Sequence, residues 1–280
     1  RLQGDWSSDV CSSDLLLSGG GVKGIVYCGF LKGLEDLEKW EIIKLDIKLI
    51  KGISIGSVFG LMMIIGYTYE ELKKILINKN FKKLKKMKLS NLINGYGLDN
   101  GEKLIEWIEE LMEKKECSKI ITMKELYEKY NKELQIVVTD LKKVNQLTID
   151  KTSDLKVIDC IRQAITIPFV FTLKGNYIDG AVLNNFPWEY NDMRYGILLK
   201  NEKFDYTEIK SLIDYIKILY KLLRESIKQK HDLNYKNVLI INCNINIINF
   251  DMNKKNKLQL IEQGYKSTLE YFFNLNKNFK

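Results

Sequence analysis

Short apolar runs alternate with amphipathic stretches along most of the chain. Apolar runs that end at glycine or polar residues predict strands at 15–18, 47–50, 134–139, 147–150, 177–179, 197–200 and 238–242. Apolar residues at helical spacing predict helices from residue 25 onward and at 58–65, 68–88, 100–114, 157–165, near 212–228 and at 257–272. Strands that alternate with helices in this way predict an α/β fold with a mainly parallel central sheet covered by helices.

The beginning of the chain differs from the rest. Residues 1–14 repeat Ser-Ser-Asp and lack hydrophobic periodicity, so we expect a non-native or disordered leader that does not belong to the fold. The two prolines and the absence of a Gly/Ser-rich stretch give no sign of a linker. We therefore expect residues 15–280 to form a single domain.

The overall charge favours anionic partners. The formal net charge is +8 and the pI is about 9.0, which suits phospholipid headgroups, nucleic acid or acidic proteins. No zinc-binding spacing or RNA-binding aromatic signature accompanies the charge, so we expect a membrane surface rather than nucleic acid.

The cysteine pattern and the apolar runs bear on the compartment. Five scattered cysteines without a CxxC pair argue against a disulfide framework and a thiolate metal site. The apolar run 58–65 is far shorter than the roughly 20 residues of a bilayer span. We expect an intracellular location, either cytoplasmic or peripheral on membranes.

A serine between two glycines follows the second predicted strand. Gly52-Ile53-Ser54-Ile55-Gly56 matches GxSxG between an apolar strand and a buried helix. This is the setting of a nucleophile elbow, where a sharp turn projects the serine hydroxyl from the sheet. The glycines avoid collisions with neighbouring backbone. The pentapeptide also occurs by chance in loops, but its position between strand and helix favours Ser54 as a nucleophile, with Gly52 and Gly56 as the elbow glycines.

A glycine-rich hexapeptide separates the first predicted strand from the first helix. Gly19-Gly20-Gly21-Val22-Lys23-Gly24 offers unhindered N–H groups that can converge on an oxyanion or a phosphate. The hexapeptide also satisfies GxGxxG, the dinucleotide-binding pattern, which requires an acidic residue at the end of the second strand. Glu41 and Asp46 precede that strand instead. Dinucleotide binding is therefore the weaker alternative.

The scarcity of histidine directs attention to a carboxylate. The single histidine, His231, lies in a polar stretch, so a catalytic Ser54 would need a base other than imidazole. A carboxylate can serve within hydrogen-bond reach of the hydroxyl. Asp179 supplies one in Tyr177-Ile178-Asp179-Gly180-Ala181, although Asp-Gly is also an ordinary turn sequence. The ordered combination of glycine turn, serine elbow and late Asp-Gly-Ala favours the catalytic interpretation. One histidine also argues against a histidine-based metal site.

These three motifs resemble those of the patatin-like phospholipase family, whose marks are a GGGx(R/K)G oxyanion turn, a GxSxG elbow and a DG(G/A) catalytic aspartate. The resemblance continues through 161–168 before the Asp-Gly-Ala segment and 183–187 after it, and covers roughly residues 15–264. It implies a three-layer patatin-like α/β fold. Lys23 stands where arginine is more frequent in the family. Ile55 stands where many members carry alanine, which implies a narrower acyl channel or an altered substrate.

The resemblance implies a lipid acyl hydrolase of the phospholipase A type, which is a serine esterase. Ser54 would be the nucleophile, Asp179 the general base, and an acyl-enzyme the intermediate, with no metal and no organic cofactor. The substrate would be a phospholipid or another acyl lipid. The remaining implied site residues are Gly19, Gly20, Gly21, Lys23 and Gly24 at the oxyanion hole, and Gly180 and Ala181 in the DGA motif.

Other interpretations stay open beside hydrolysis. A catalytically silent patatin fold would bind only a lipid or a protein partner, and a nucleotide-binding protein would use GxGxxG. The lysine-rich stretch from Lys73 to Lys88 predicts either a peripheral membrane-docking face or a solvated helix whose apolar side joins the core.

Overall fold

The computed structural model describes most of the chain. The described residues are 12–44, 46–188, 195–200, 208–211, 214, 215, 218, 219, 222, 237–243, 245, 247 and 249–277. Residues 1–11, His231 and most of the predicted helix near 212–228 lie outside them. The first strand begins at Ser12, so residues 12–14, which the sequence assigned to the leader, belong to a strand of the fold.

The strands and helices alternate along the described residues. The strands are β1 (Ser12–Leu17), β2 (Asp46–Ile53), β3 (Gly97–Asp99), β4 (Glu133–Asp140), β5 (Asn145–Ile149), β6 (Phe169–Phe171), β7 (Tyr177–Asp179), β8 (Tyr195–Lys200) and β9 (Val238–Asn242). The helices are α1 (Val26–Lys39), α2 (Ile55–Ile64), α3 (Tyr69–Asn78), α4 (Leu89–Gly95), α5 (Glu102–Glu113), α6 (Met123–Tyr130), α7 (Val157–Ala164) and α8 (Lys254–Lys277). Short 3₁₀ turns occupy Gly21–Ile25, Phe81–Leu84 and Gly180–Val182.

The central sheet has the strand order β5-β4-β2-β1-β8-β9, with β7 also paired to β4. The pairs β4–β2, β2–β1, β1–β8 and β8–β9 are parallel, whereas β5 and β7 run antiparallel to β4. The predicted α/β class with a mainly parallel sheet is confirmed. Because carboxyl ends of parallel strands share one edge of a sheet, the loops after β1 and β2 meet there.

Both faces of the sheet are covered, and β1 shows this directly. Leu15 and Leu17 belong to the larger core, which the sheet shares with α1, α2, α3, α5, α7 and α8. Leu16, between them, faces a smaller core that includes Phe186 and Leu198. All three leucines are at most 3% exposed, as expected for a strand with two covered faces.

The predicted helix 68–88 is wrong in its length. α3 ends at Asn78, and Lys79 already has an extended backbone. The side chain of Asn80 accepts a hydrogen bond from the N–H of Lys82 at 3.1 Å and begins a 3₁₀ turn. An asparagine that caps a new turn competes with continuation of the helix. The lysine-rich stretch is therefore one helix, one turn and an extended segment that leads to α4.

The sequence missed a small two-stranded sheet beside the central one. β3 and β6 pair in parallel, with Gly97 opposite Phe169 and Asp99 opposite Phe171. The buried Arg162 of α7 holds this unit in place by donating to the carbonyl oxygens of Asn100 at 3.0 Å and Thr172 at 2.8 Å. Strands of three residues carry too little alternation to be recognised in a sequence.

The four described cysteines are buried free thiols: Cys28, Cys117, Cys160 and Cys243. Burial raises the pKa of the Cys28 and Cys160 thiols to about 12. Raised pKa values of this kind disfavour the reactive thiolate form. Among the described residues, no helix combines the length and the apolar character that crossing a bilayer requires.

Candidate active site

The three sequence motifs meet at the carboxyl edge of the central sheet. The glycine turn follows β1, and Ser54 follows β2 directly. β7 enters the same edge from the opposite direction beside β4, with Asp179 at its end. Three segments that are far apart in the chain therefore converge at one place.

Strand register places Ser54 and Asp179 next to each other. Along β4, Val137 is the partner of Ile53 in β2, and the following residue, Val138, is the partner of Asp179 in β7. β2 and β7 thus end against each other on the same side of β4, and Ser54 is the first residue beyond β2. The serine is 4% exposed and the aspartate 1% exposed, so both residues lie in a site that is largely shielded from water.

Ser54 has an unusual backbone conformation at the junction of β2 and α2. Its φ of 52° and ψ of −125° lie in a region that non-glycine residues rarely adopt, and such strain is typical of functional sites. A Cβ on Gly52 would lie 2.5 Å from the N atom of Ser57, and one on Gly56 would lie 2.9 Å from the carbonyl oxygen of Ser18. Neither position has room for a side chain, which explains the two glycines that flank the serine.

Several hydrogen bonds hold the turn after Asp179 in place. Its carboxylate Oδ1 accepts a hydrogen bond from the N–H of Ala181 at 2.9 Å. The hydroxyl of Thr139 donates to the carbonyl oxygen of Asp179 at 3.2 Å. The side-chain amide of Gln146 donates to the carbonyl oxygens of Gly180 at 2.8 Å and Asn184 at 2.7 Å. The orientation of the carboxylate is therefore fixed by neighbouring strands as well as by its own turn.

The glycine turn presents several N–H groups at the same edge. The N–H of Val22 donates to the carbonyl oxygen of Ile247 at 3.0 Å, and that of Lys23 donates to Gly20 at 3.2 Å. Within the described part of the chain, the N–H groups of residues 19–21 donate to no main-chain carbonyl. Gly21 has a φ of +55°, a conformation that glycine adopts without strain. A Cβ on Gly19 would lie 3.1 Å from Cβ of Ser54, so the turn approaches the serine closely.

Lys23 and Gly24 are the last two predicted residues of the glycine turn. Lys23 is 3% exposed, and its positive charge partly offsets the burial that raises the pKa of Cys243 to about 11. Gly24 leaves room for the side chain of Ile55, whose Cγ2 would be 3.1 Å from a Cβ at that position. The bulky side chain that follows Ser54 is therefore accommodated by a glycine of the glycine turn.

An apolar channel includes Ser54 among its lining residues. Its wall has almost no polar atoms, and Ile55 forms part of it next to the serine. The sequence did not predict which other side chains line it, because they come from six separate segments. The lining residues include Val22, Ile25, Phe59, Met62, Leu72, Ile75, Leu76, Phe81, Leu84, Leu104, Trp107, Ile167, Phe171 and Phe250.

Two polar residues of the site were missed as functional candidates. Asn185 donates from Nδ2 to the carbonyl oxygen of Gly19 at 3.2 Å, and Gln146 holds the turn after Asp179. Asn185 belongs to the segment 183–187, which is part of the family resemblance. The sequence therefore marked this segment, but it indicated no role for Asn185. Gln146 lies in an ordinary strand, and its sequence offers no such signal. Among the described residues, no group of three or more His, Cys, Asp or Glu side chains is arranged to hold a metal ion.

The fold is that of an α/β protein with a buried serine at the junction of β2 and α2. Residues 15–192 match the family model of patatin-like phospholipase, and the chain belongs to this family. It is 30% identical over 254 residues to the "Probable lipid hydrolase 463L" of Invertebrate iridescent virus 6, a match that covers 86% of this chain and 83% of the relative. It is also 30% identical over 287 residues to the "Uncharacterized protein R571" of Acanthamoeba polyphaga mimivirus, with 94% of both chains covered.

A solved structure shares the fold. The crystal structure of VipD from Legionella pneumophila superposes with a TM-score of 0.62 over 94% of this chain and 67% of that one, at 16% sequence identity. The family membership, together with the likeness to a probable lipid hydrolase, supports lipid hydrolysis as the general activity of this chain. The predicted patatin-like fold is confirmed.

Proposed function

We propose that the protein is a serine-dependent lipid acyl hydrolase of the phospholipase A type, with Ser54 as nucleophile and Asp179 as general base. The observation that supports this proposal is the register along β4, where Ile53 and Asp179 oppose consecutive residues, so that Ser54 and Asp179 lie at the adjoining ends of β2 and β7. The strained backbone of Ser54 supports it further, since such strain is characteristic of an elbow nucleophile.

The proposed reaction has two halves that use the same residues. Asp179 takes the proton of the Ser54 hydroxyl as its oxygen attacks the ester carbonyl, and the alcohol portion of the lipid leaves with a proton. The N–H groups of Gly20 and Gly21 stabilise the tetrahedral oxyanion, at about 3 kcal/mol for a single such donor. Water activated by Asp179 then releases the fatty acid from the acyl-enzyme. No step calls for a metal or an organic cofactor.

The apolar channel supports an acyl chain as the group that is transferred to Ser54. Aliphatic and aromatic side chains line it from Ile55 inward, and its wall offers almost no hydrogen-bonding atoms. A hydrocarbon chain gains by leaving water for such a wall, whereas a polar substituent there would lose its hydrogen bonds. Ile55 and Phe59 stand beside the serine and would contact the first carbons of the chain.

Fatty acid release from a panel of phospholipids and neutral lipids tests the proposed activity. We expect release by the wild type to continue undiminished in the presence of EDTA. An uncharged organophosphonate should modify Ser54, as mass spectrometry of the peptides would show. A catalytically silent fold would give neither result. A nucleotide-binding protein would instead gain thermal stability with NAD or ATP.

We also propose that the protein docks on anionic membranes through an exposed apolar surface around α4. This docking ridge consists of Met87, Leu89, Ile93, Tyr96 and Phe169, which are 41%, 66%, 76%, 66% and 44% exposed. Leu89 and Ile93 are one helical turn apart on α4, and Phe169 opposes Gly97, the neighbour of Tyr96. A cluster of large exposed apolar side chains is typical of interaction sites.

The surroundings of the docking ridge favour a lipid surface as its partner. Exposed lysines that suit anionic headgroups lie beside the ridge in the chain: Lys82, Lys83 and Lys86 precede it, and Lys88 lies between Met87 and Leu89. Phe81 and Leu84 of the same segment line the channel, as does Phe171, two residues beyond Phe169. The apolar residues from Ile75 to Leu84 thus face the channel or the core. The first exposed large apolar side chain of this segment is Met87. The proposed docking surface therefore lies mostly later in the chain than the stretch from Lys73 to Lys88 that the sequence indicated, and it overlaps that stretch at Met87.

Vesicle sedimentation measures this docking. Leu89→Asp with Ile93→Asp, and separately Lys82→Glu with Lys83→Glu, should each weaken binding to phosphatidylserine vesicles. Since a lysine near such a surface contributes about 1 kcal/mol, the two lysine changes should cost roughly 30-fold or more at low salt and much less at high salt. Ile120→Asp is the matched control, because Ile120 is 64% exposed outside the ridge. Vesicle binding that depends neither on the salt concentration nor on these substitutions would contradict the proposal.

A further inference from the structure

The side chain of Asn185 contacts the main chain of the glycine turn. Its Nδ2 donates to the carbonyl oxygen of Gly19 at 3.2 Å, across 166 positions of sequence. Its Oδ1 is buried and has no hydrogen-bond partner among the described residues. A Cβ added to Gly19 would lie 2.6 Å from this Oδ1 and 3.1 Å from Cβ of Ser54, so the amide sits beside the serine.

The carbonyl of Gly19 and the N–H of Gly20 belong to one planar peptide group. A donor on the carbonyl oxygen fixes the plane of that group and polarises the N–H at its other end. Three consecutive glycines leave the turn with more backbone freedom than any other sequence would. An N–H that is to meet a developing oxyanion must, however, be held in place before the reaction.

We propose that Asn185 is a positioning residue, which holds the Gly19–Gly20 peptide so that the N–H of Gly20 is directed at the oxyanion. This inference rests on the proposed hydrolase function. Asn185 does not touch the reacting atoms and acts through the peptide that it contacts.

The turn that carries Asn185 is the same turn that carries Asp179. Gln146 clamps it through the carbonyl oxygens of Gly180 and Asn184, and Oδ1 of Asn184 accepts from the N–H of Phe186 at 2.9 Å. One rigid segment therefore sets both the position of the base and the orientation of the oxyanion donor. The two halves of the catalytic apparatus are linked by Asn185 across the site.

Steady-state hydrolysis of a soluble ester by Asn185→Leu and Asn185→Asp tests this role. Both variants should lose roughly 10- to 100-fold in kcat at neutral pH, somewhat less than the 10²–10³-fold that loss of an oxyanion donor itself costs. KM should change little. The rate at which an uncharged organophosphonate modifies Ser54 should fall in parallel with kcat, because its phosphoryl oxygen needs the same donor. Asn176→Asp is the matched control, since Asn176 is an exposed amide in another turn.

The acidic variant offers a readout that a purely structural role would not affect. A carboxylate cannot donate to the carbonyl oxygen of Gly19, but a protonated carboxyl group can. The activity of Asn185→Asp relative to wild type should therefore rise as the pH is lowered, whereas the ratio for Asn185→Leu should stay flat.

The results separate two kinds of failure. Full kcat in Asn185→Leu, or a loss that only follows a lower melting temperature, would refute the role of Asn185 while leaving the hydrolase intact. A wild type that neither hydrolyses esters nor reacts at Ser54 would overturn the proposed function, and this inference with it.

Discussion

Replacement of Ser54 by alanine is expected to lower fatty acid release by about 10⁴-fold or more, because loss of the nucleophile in a serine hydrolase removes nearly all of the chemical step. The fold should persist, since the change removes one hydroxyl and leaves the packing of Gly52 and Gly56 in place. Initial rates with a phospholipid in mixed micelles, together with circular dichroism, would measure both effects.

Replacement of Asp179 by asparagine is the companion change. Asparagine keeps the shape and the acceptor for the N–H of Ala181, but it removes the base, and we expect a loss of about 10³-fold or more. Ser118→Ala serves as the control, because Ser118 is an exposed serine outside the site. Undiminished turnover in Ser54→Ala would refute the proposed mechanism. Undiminished turnover in Asp179→Asn would exclude Asp179 as the general base.

The candidate site could be found in the sequence because its parts are local. Each motif sits at the end of a strand, and glycines at 52 and 56 are required by backbone contacts that any such elbow makes. The convergence of Ser54 and Asp179 was a different kind of expectation. It depends on β7 pairing antiparallel with β4 at one register, which no local pattern specifies. The sequence indicated it only through the scarcity of histidine, the order of the three motifs and the family resemblance.

Features that depend on long-range packing could not be predicted from the sequence. The stretch 68–88 has helical spacing throughout, yet Asn80 begins a new turn and Phe81 is buried in the channel wall. Periodicity shows that residues share a face but does not show which partner that face meets. The contact from Asn185 to Gly19 joins residues 166 positions apart, and only the folded chain brings them together.

We expect the contact between α1 and α8 to tolerate added side-chain volume poorly, because glycines let the two backbones approach closely there. A Cβ on Gly29 would lie 2.7 Å from the N atom of Tyr265 and would overlap the carbonyl oxygen of Ile261. Both are backbone atoms of α8, so neither can rotate away as a side chain would, and the helices must move apart. Gly264 on α8 faces the backbone of Val26 in the same way.

Gly29→Ala should therefore destabilise the protein by about 2 kcal/mol or more. Overpacking typically costs about 1–3 kcal/mol and occasionally more, and overlap with backbone atoms puts Gly29 at the upper end of that range or above it. The better helix propensity of alanine returns up to about 1 kcal/mol. At about 2–4 °C for each kcal/mol in domains of this size, the melting temperature should fall by roughly 4–8 °C or more. Thermal unfolding followed by circular dichroism would measure the shift.

Gly66→Ala is the control that separates the stability cost of steric overlap from the conformational cost of replacing a glycine. Gly66 has a φ of +82°, and a Cβ there would meet no heavy atom within 4 Å. The cost at this position is therefore conformational only, about 1 kcal/mol, and the melting temperature should fall by a few degrees. Equal shifts in the two variants would mean that α1 and α8 can separate at little cost, and the close approach at Gly29 would then contribute nothing to stability.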